Sequence, residues 1–509
     1  MPAKAGATPG QVVEPMSLAG RFDNTYGQLG KPWVSEVAPS PVPAPRWLAW
    51  NSALATRLGW PEDWSQTDQA LEALSGNTVF AGSQPVASVY AGHQFGGYNP
   101  QLGDGRALLL GEWLTPDGAR FDIQLKGAGP TPYSRGGDGR SPVGPVVREY
   151  LVSEAMHCLG VPTTRALAAV TTGAPVYRNH PEPGAVITRI ASSHLRVGTI
   201  QFFAMTQQGE GLAEVIEHAT LRHYEDALQQ ARSGNSNVSY AEVLLTEASK
   251  RLAALVAQWQ CLGFIHGVLN TDNMLLCGET VDYGPCAFMD DYQSNKVFSS
   301  IDSGGRYAYQ NQPGIVHWNL SVLAQCLLGE IHPDKDEAVT IAQRIIDEFP
   351  QHFSAIHSGL LAGKFGLSHF RENDRKLAEG FFNALEAGQL DFTLAFRWLT
   401  EKAKNNTDNT PLPELFTPTS ALEAWFVDWQ ALFKQRGGDY AKMEKSNPVV
   451  IPRNHLVAQA IKAAETEDAS VLTTLFDRWQ APYRWSENDQ LFAAAPVPEE
   501  IVHRTFCGT

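Results

Sequence analysis

Apolar and polar positions alternate with period two over the first part of the chain and with period near 3.6 over the rest. Residues 86–90, 106–113 and 121–126 read as strands, with a Gly-rich turn after the first and a Pro116-Asp117-Gly118 hairpin turn between the other two. A second Gly-rich loop spans 127–144. A helix is expected over 145–159, with an apolar stripe at Val147, Tyr150, Leu151, Ala155 and Cys158 and a stop at Gly160. Two more strands are expected at 166–177 and 184–192. Upstream, 17–60 reads as an irregular wrap, Pro-rich at 39–45, that leads into a short helix over 47–58.

After about Val197 the pattern becomes that of amphipathic helices, around 212–232, 240–262, 315–329, 335–348 and 375–403. Residues 404–410 are polar and read as a linker, and 413–509 as a helical region ending in an extended tail. The fold class expected is α+β: a smaller β-rich lobe with one prominent helix, then a larger helical lobe, with a cleft between. The division expected is a disordered leader over 1–16, an N-terminal extension and β-rich lobe over 17–196, a helical lobe over 197–403 and a helical extension over 413–509.

The 509-residue chain is 43% hydrophobic, enough for a sizeable core. With 39 Lys and Arg against 54 Asp and Glu its net charge is -15, and no basic cluster is dense enough to follow a phosphate backbone, which argues against nucleic acid. No apolar run has the roughly 20 residues of a membrane helix. The cysteines at 158, 261, 277, 286, 326 and 507 have no CxxC spacing, which argues against zinc and for a reducing cytoplasm.

Candidate chemistry centres on His266-Gly-Val-Leu-Asn-Thr-Asp-Asn273 and the downstream Asp282-Tyr-Gly. Two short strands turning at Gly278-Glu279 would bring Asn273 and Asp282 together as oxygen ligands of Mg²⁺, with Asp272 left to accept a proton. The plainer alternative is a polar loop capping a helix. Gly103 and Gly105, before Arg106, would let backbone N–H groups approach phosphate, or form an ordinary hairpin turn. Lys126 ends a strand and Glu149 lies in the next helix, as in the kinase ion pair that fixes an ammonium for phosphate. Each could instead be a solvated residue. Arg189 and Arg196 fall at the change of texture, where guanidinium forks could grip phosphates or simply face solvent.

The order of these pieces is that of a kinase nucleotide site, with one defect. A kinase loop carries its catalytic Asp two residues after the His, and here that position is Val268. Asp272 is the carboxylate nearby.

The strings Phe22-Asp-Asn, Tyr90-Ala-Gly-His-Gln-Phe-Gly, Gln101-Leu-Gly-Asp-Gly-Arg, Gln124-Leu-Lys-Gly-Ala-Gly, His266 to Asn273, Asp282-Tyr-Gly-Pro, Gly305-Arg-Tyr and Asn447-Pro resemble the selenoprotein O family. These are kinase-like protein adenylyltransferases. The resemblance implies a protein-kinase-like fold with the nucleotide flipped. ATP is the substrate, Mg²⁺ or Mn²⁺ the metal, AMP passes to Ser, Thr or Tyr hydroxyls of proteins, and pyrophosphate leaves. It implies that Gly103, Gly105, Arg106, Asp138 and Gly139 line the nucleotide, that Lys126, paired with Glu149, and Arg189 and Arg196 hold phosphates, that Asp272 is the proton acceptor, and that Asn273 and Asp282 bind metal. Cys507 stands where animal members carry selenocysteine. With no cysteine between 287 and 325 for the family's activation-loop pairing, Cys507 is a free thiol, a redox handle through Cys286, or a vestige. Two other readings share the site layout: γ-phosphoryl transfer by a conventional kinase, and a nucleotide-binding pseudokinase scaffold.

Overall fold

The computed structural model describes residues 12–13, 18–206, 209–234, 237–371, 374–404, 412–486 and 488–506. The linker expected over 404–410, apart from Lys404, and Cys507 lie outside them, as does the leader expected over 1–16 except for Val12–Val13, which pairs with Val79–Phe80 as a short parallel bridge.

The fold is mixed α/β. Strands β1 (Val34–Glu36), β2 (Arg46–Trp50), β3 (Val86–Ser88), β4 (Gly92–Gln94), β5 (Gly97–Asn99), β6 (Ala107–Leu114), β7 (Arg120–Lys126), β8 (Arg165–Tyr177) and β9 (Pro181–Ala191) come first. Seven of them form an antiparallel path in the order β1-β3-β6-β7-β9-β8-β2, while β4 and β5 make a separate hairpin. Period-two alternation gives this sheet two buried faces. Leu108, Leu110, Ile123, Leu125, Val186 and Ile190 pack with Leu54, Trp60, Trp64 and Phe80 on one side. Val86, Leu109 and Ile187 pack on the other against α1 (Val143–Cys158), through Val146, Val147, Tyr150 and Leu151.

Helices α2 (Val197–Met205), α3 (Gly209–Gly234), α4 (Tyr240–Leu262), α5 (Gln312–Ile331), α6 (Lys335–Lys364), α7 (Asp374–Gly388) and α8 (Phe392–Lys404) follow, and further helices occupy the C-terminal region. The Ser239 side chain caps α4 by accepting from Glu242 N, and left-handed Gly263 (φ 69°) ends it. The chain then forms Phe264–Ile265, paired with Ala287–Phe288, and so delivers the loop 266–273 to the sheet. No helix of the described residues is long and apolar enough to cross a membrane.

Four expectations need correction. The helix expected over 47–58 is a strand to Trp50, which pairs with β8, and a helix only from Ser52, because Asn51 Oδ1 accepts from Leu54 N and starts it there. The helix expected over 335–348 runs through Pro350 to Lys364. The carbonyl that Pro350 leaves without an N–H donor, that of Ile346, is hydrogen-bonded by His317 Nε2 at 3.1 Å. The single helix over 375–403 is two, divided at left-handed Gln389 (φ 48°), with Asp391 capping the second through Leu394 N. The hairpin turning at 278–279 does not form. Leu275 bridges Arg196 and Thr280 bridges Thr163, so the backbone groups it needed are taken by neighbouring segments.

Candidate active site

Alternation along β7 turns Ile123 and Leu125 into one core and puts Asp122, Gln124 and Lys126 on the opposite face. Arg189 is the register partner of Gln124 on β9, so it shares that face and donates to Gln124 Oε1 at 3.1 Å. Helix α1 crosses there and supplies Glu149, which accepts from Lys126 Nζ at 2.7 Å and from Arg189 Nε at 2.7 Å. Neither Lys126 nor Glu149 is a solvated surface residue.

The helical part supplies the rest. Asp282 Oδ1 accepts from Lys126 at 2.9 Å and from Arg189 at 2.8 Å, and its Oδ2 accepts from Arg196 at 3.0 Å. Asp282 has φ 63°, a left-handed backbone that non-glycine residues rarely adopt at a cost of about 1–3 kcal/mol, and three cations hold it there. Arg196 also donates to the Asp272 carbonyl at 2.5 Å and lies over the Tyr90 ring, 4.8 Å from its centroid. The structure thus brings Lys126, Glu149, Arg189, Arg196, Asp272 and Asp282 into one network.

Their electrostatics differ. Burial alone would raise the Asp282 and Glu149 carboxyls. Lys126, Arg189 and Arg196 around Asp282, and Arg189 and Lys126 around Glu149, outweigh it and hold both below the usual carboxylate range. Asp272 goes the other way: burial pushes it up to about 6 against the pull of Arg196. Its Oδ2 accepts from Gln94 Nε2 at 3.1 Å, while Oδ1 is buried without a hydrogen-bond partner. A Cβ on Gly92 would overlap Oδ1, so the chain there can approach this closely only as glycine.

The Gly-rich loops lie at the same end of the sheet. Ala107 pairs with Lys126, and Gly127 N donates to the Arg106 carbonyl at 2.7 Å. The second loop ties down the first: Thr131 Oγ1 donates to the Asp104 carbonyl at 2.6 Å and Ser134 Oγ to that of Gly105, beside Gly103. Gly139 is left-handed (φ 65°), and a Cβ there would strike the Gly129 carbonyl. Asp138 takes Arg178 at 2.9 and 3.0 Å, and no hydrogen bond or ion pair among the described residues joins it to the Lys126–Asp282 network.

Asn273 follows Asp272 in the turn Thr271–Asn273, and its amide donates to the Val268 carbonyl at 3.1 Å. No hydrogen bond among the described residues links it to Asp282. Asn273 and Asp282 carry the oxygen atoms that a hard divalent ion takes, but both Asp282 oxygens accept from cations, and no cluster of three or more His, Cys, Asp or Glu among the described residues is arranged to hold a metal. Val268 is buried, and His266 Nε2 meets the Val281 carbonyl at 2.9 Å, so this loop is packed into the core rather than built around a carboxylate at 268.

Sequence reasoning gave no role to Gln94, Tyr90 or Gln124, which hold Asp272, Arg196 and Arg189. The first two lie in the quoted Tyr90-Ala-Gly-His-Gln-Phe-Gly string and the third opens Gln124-Leu-Lys-Gly-Ala-Gly, the signals that could have found them.

The family model described as "Protein adenylyltransferase SelO" matches residues 17–480. Similar proteins named "Protein nucleotidyltransferase YdiU" come from Bradyrhizobium (46% identical over 497 residues), Bacillus mycoides (44% over 493) and Methylorubrum extorquens (47% over 500). Each alignment covers 96% of this chain and 98–99% of the relative.

Proposed function

The chain belongs to the protein adenylyltransferase SelO family, and from that premise we propose how its own residues move AMP from ATP to Ser, Thr or Tyr hydroxyls of target proteins. Lys126, Arg189 and Arg196 face the phosphates, and Glu149 orients the first two. Gly103, Gly105 and Arg106, with Asp138 and Gly139 in the second loop, line the nucleotide, which lies flipped relative to kinases. Asp272 Oδ1 takes the proton of the acceptor hydroxyl as its oxygen bonds to the α-phosphorus. The bond from that phosphorus to the oxygen bridging toward the β-phosphate breaks, and pyrophosphate leaves with the electron pair. Negative charge grows on the α-phosphoryl oxygens and the leaving group, where each well-placed cation is worth on the order of 3 kcal/mol of barrier. Asn273 and Asp282 would hold Mg²⁺ or Mn²⁺, which when bound offsets phosphate charge.

The observation that carries the reading is Asp272 itself. Its Oδ1 is buried without a partner inside a cation network, and at about 6 the carboxyl is ionised at neutral pH yet more basic than an exposed one. The three cations are already paired with two carboxylates, Glu149 and Asp282, so a triphosphate needs added positive charge, which supports a divalent ion. We read the sheet with α1, over 17–196, as the smaller lobe of a kinase-like fold, 197–403 as the helical lobe and 413–509 as an extension. The described cysteines are all unpaired, which supports a cytoplasmic setting.

Incubation with Mg²⁺ and ATP labelled at the α-phosphate is expected to label protein, and EDTA to abolish it. Label arriving from the γ-phosphate instead would overturn the proposal.

A further inference from the structure

The β4–β5 hairpin has two working sides. Toward the core, Gln94 holds Asp272, His93 N donates to Thr271 Oγ1 at 2.7 Å, and Phe95 N donates to Asn270 Oδ1 at 3.1 Å. Outward, Phe95 (37% exposed), Tyr98 (40%) and Trp318 of α5 (36%) leave large rings in solvent. They are continuous: the His93 ring lies 5.2 Å from both Tyr98 and Trp318, and Phe95 lies 5.1 Å from Tyr307.

Arg306 borders this shelf, its guanidinium 4.9 Å from the Trp318 ring centroid. It hydrogen-bonds the Tyr307 side chain, its Nε is buried without an acceptor, and no carboxylate of the described residues forms an ion pair with it. Arg120, Arg165, Arg222 and Arg453 each grip a carboxylate of this chain. Arg306 instead lines an open cavity of about 470 Å³ with Gln310, Asn311, Gly314 and Ile315. A guanidinium stacked on an indole, with no carboxylate paired to it among the described residues, is a ready receptor for a carboxylate from outside.

We infer that the target protein lays an extended segment across Phe95, Tyr98 and Trp318, and that Arg306 selects an acidic residue beside the acceptor hydroxyl. This rests on the adenylyltransferase reading above. The hairpin that presents the shelf also holds Asp272, so a chain docked there brings its hydroxyl to the proton acceptor. Burial of aromatic surface supplies affinity and the single cation supplies selectivity.

The test uses the full chain, α-labelled ATP and three synthetic acceptor peptides, identical but for Glu, Ala or Lys beside the hydroxyl. The wild type is expected to favour the Glu over the Lys peptide at least about tenfold in kcat/KM, as one charge-assisted pair allows. Arg306→Ala should bring that ratio close to one with KM for ATP unchanged, Arg306→Glu should reverse it, and Trp318→Ala should raise KM for all three peptides. A preference that survives Arg306→Ala, a rise in KM for ATP in that variant, or self-labelling without labelling of any peptide overturns the inference. Absence of α-label from every protein and peptide overturns instead the reading on which it rests.

Discussion

Two buried ionic clusters use the same residue types to opposite ends. In the first, Glu112 accepts from Tyr26 N through one oxygen and from Thr25, Arg120 and Arg222 through the other. Asp122 accepts from Arg222 through one oxygen and from the His194 backbone N–H through the other. All four carboxylate oxygens are used, and the cluster pins α3 to the sheet. In the second, around Lys126 and Asp282, the cations are also paired, but Asp272 keeps one oxygen unclaimed and Asp282 holds a left-handed backbone. A closed cluster stabilises the fold; one with an open oxygen is poised for a ligand. The number of arginines separates the two less than the valence left over.

The widest test of the contrast is Lys126→Met or Asp282→Ala, each expected to lower transfer about 10³-fold or more, from the loss of roughly 4 kcal/mol at the phosphates. Normal turnover in either variant would place the chemistry elsewhere. Asp272→Asn should cost 10²- to 10⁴-fold in rate, as for a lost general base, and should not destabilise the protein. The folded-state carboxyl sits at about 6 against an ordinary 3.8, so its contribution to stability is present below 3.8 and is lost as pH rises through about 6. The variant should therefore gain on the wild type over that window, by up to roughly 3 kcal/mol in urea melts. Wild-type transfer should rise with pH through about 6, and that limb should vanish in Asp272→Asn.

Glu112→Ala should do the reverse, costing about 3–5 kcal/mol because Arg120 and Arg222 lose a shared buried partner. Turnover per folded molecule should hardly change. A variant that kept its stability but lost activity would erase the distinction. Glu149→Gln is expected to have the smallest effect, about tenfold in rate. It still accepts a hydrogen bond from Lys126, and Asp282 keeps that ammonium in place.

Much of this was legible along the chain. Alternation gave β6, β7, β8 and β9, and an apolar stripe gave α1, so the Lys126–Glu149 pair followed from the order of strand and helix. The strand at 46–50 was misread because the side chains of Arg-Trp-Leu-Ala-Trp fit either period, and only pairing with β8 decides between them. Pro350 reads as a helix end until His317, 33 positions earlier, is found on the Ile346 carbonyl. Asn273 and Asp282 were expected at one hairpin; the structure instead joins Asp282 to Asp272 through Arg196.

The chain by itself determined the succession of elements, the family and the side chains able to do phosphate chemistry, because these depend on local periodicity and on strings of adjacent residues. Tertiary structure decided which carboxylates are saturated and which is raised to about 6. Arg222 reaches Glu112 across 110 positions and Gln94 reaches Asp272 across 178, and the burial that shifts a proton equilibrium comes from segments just as remote.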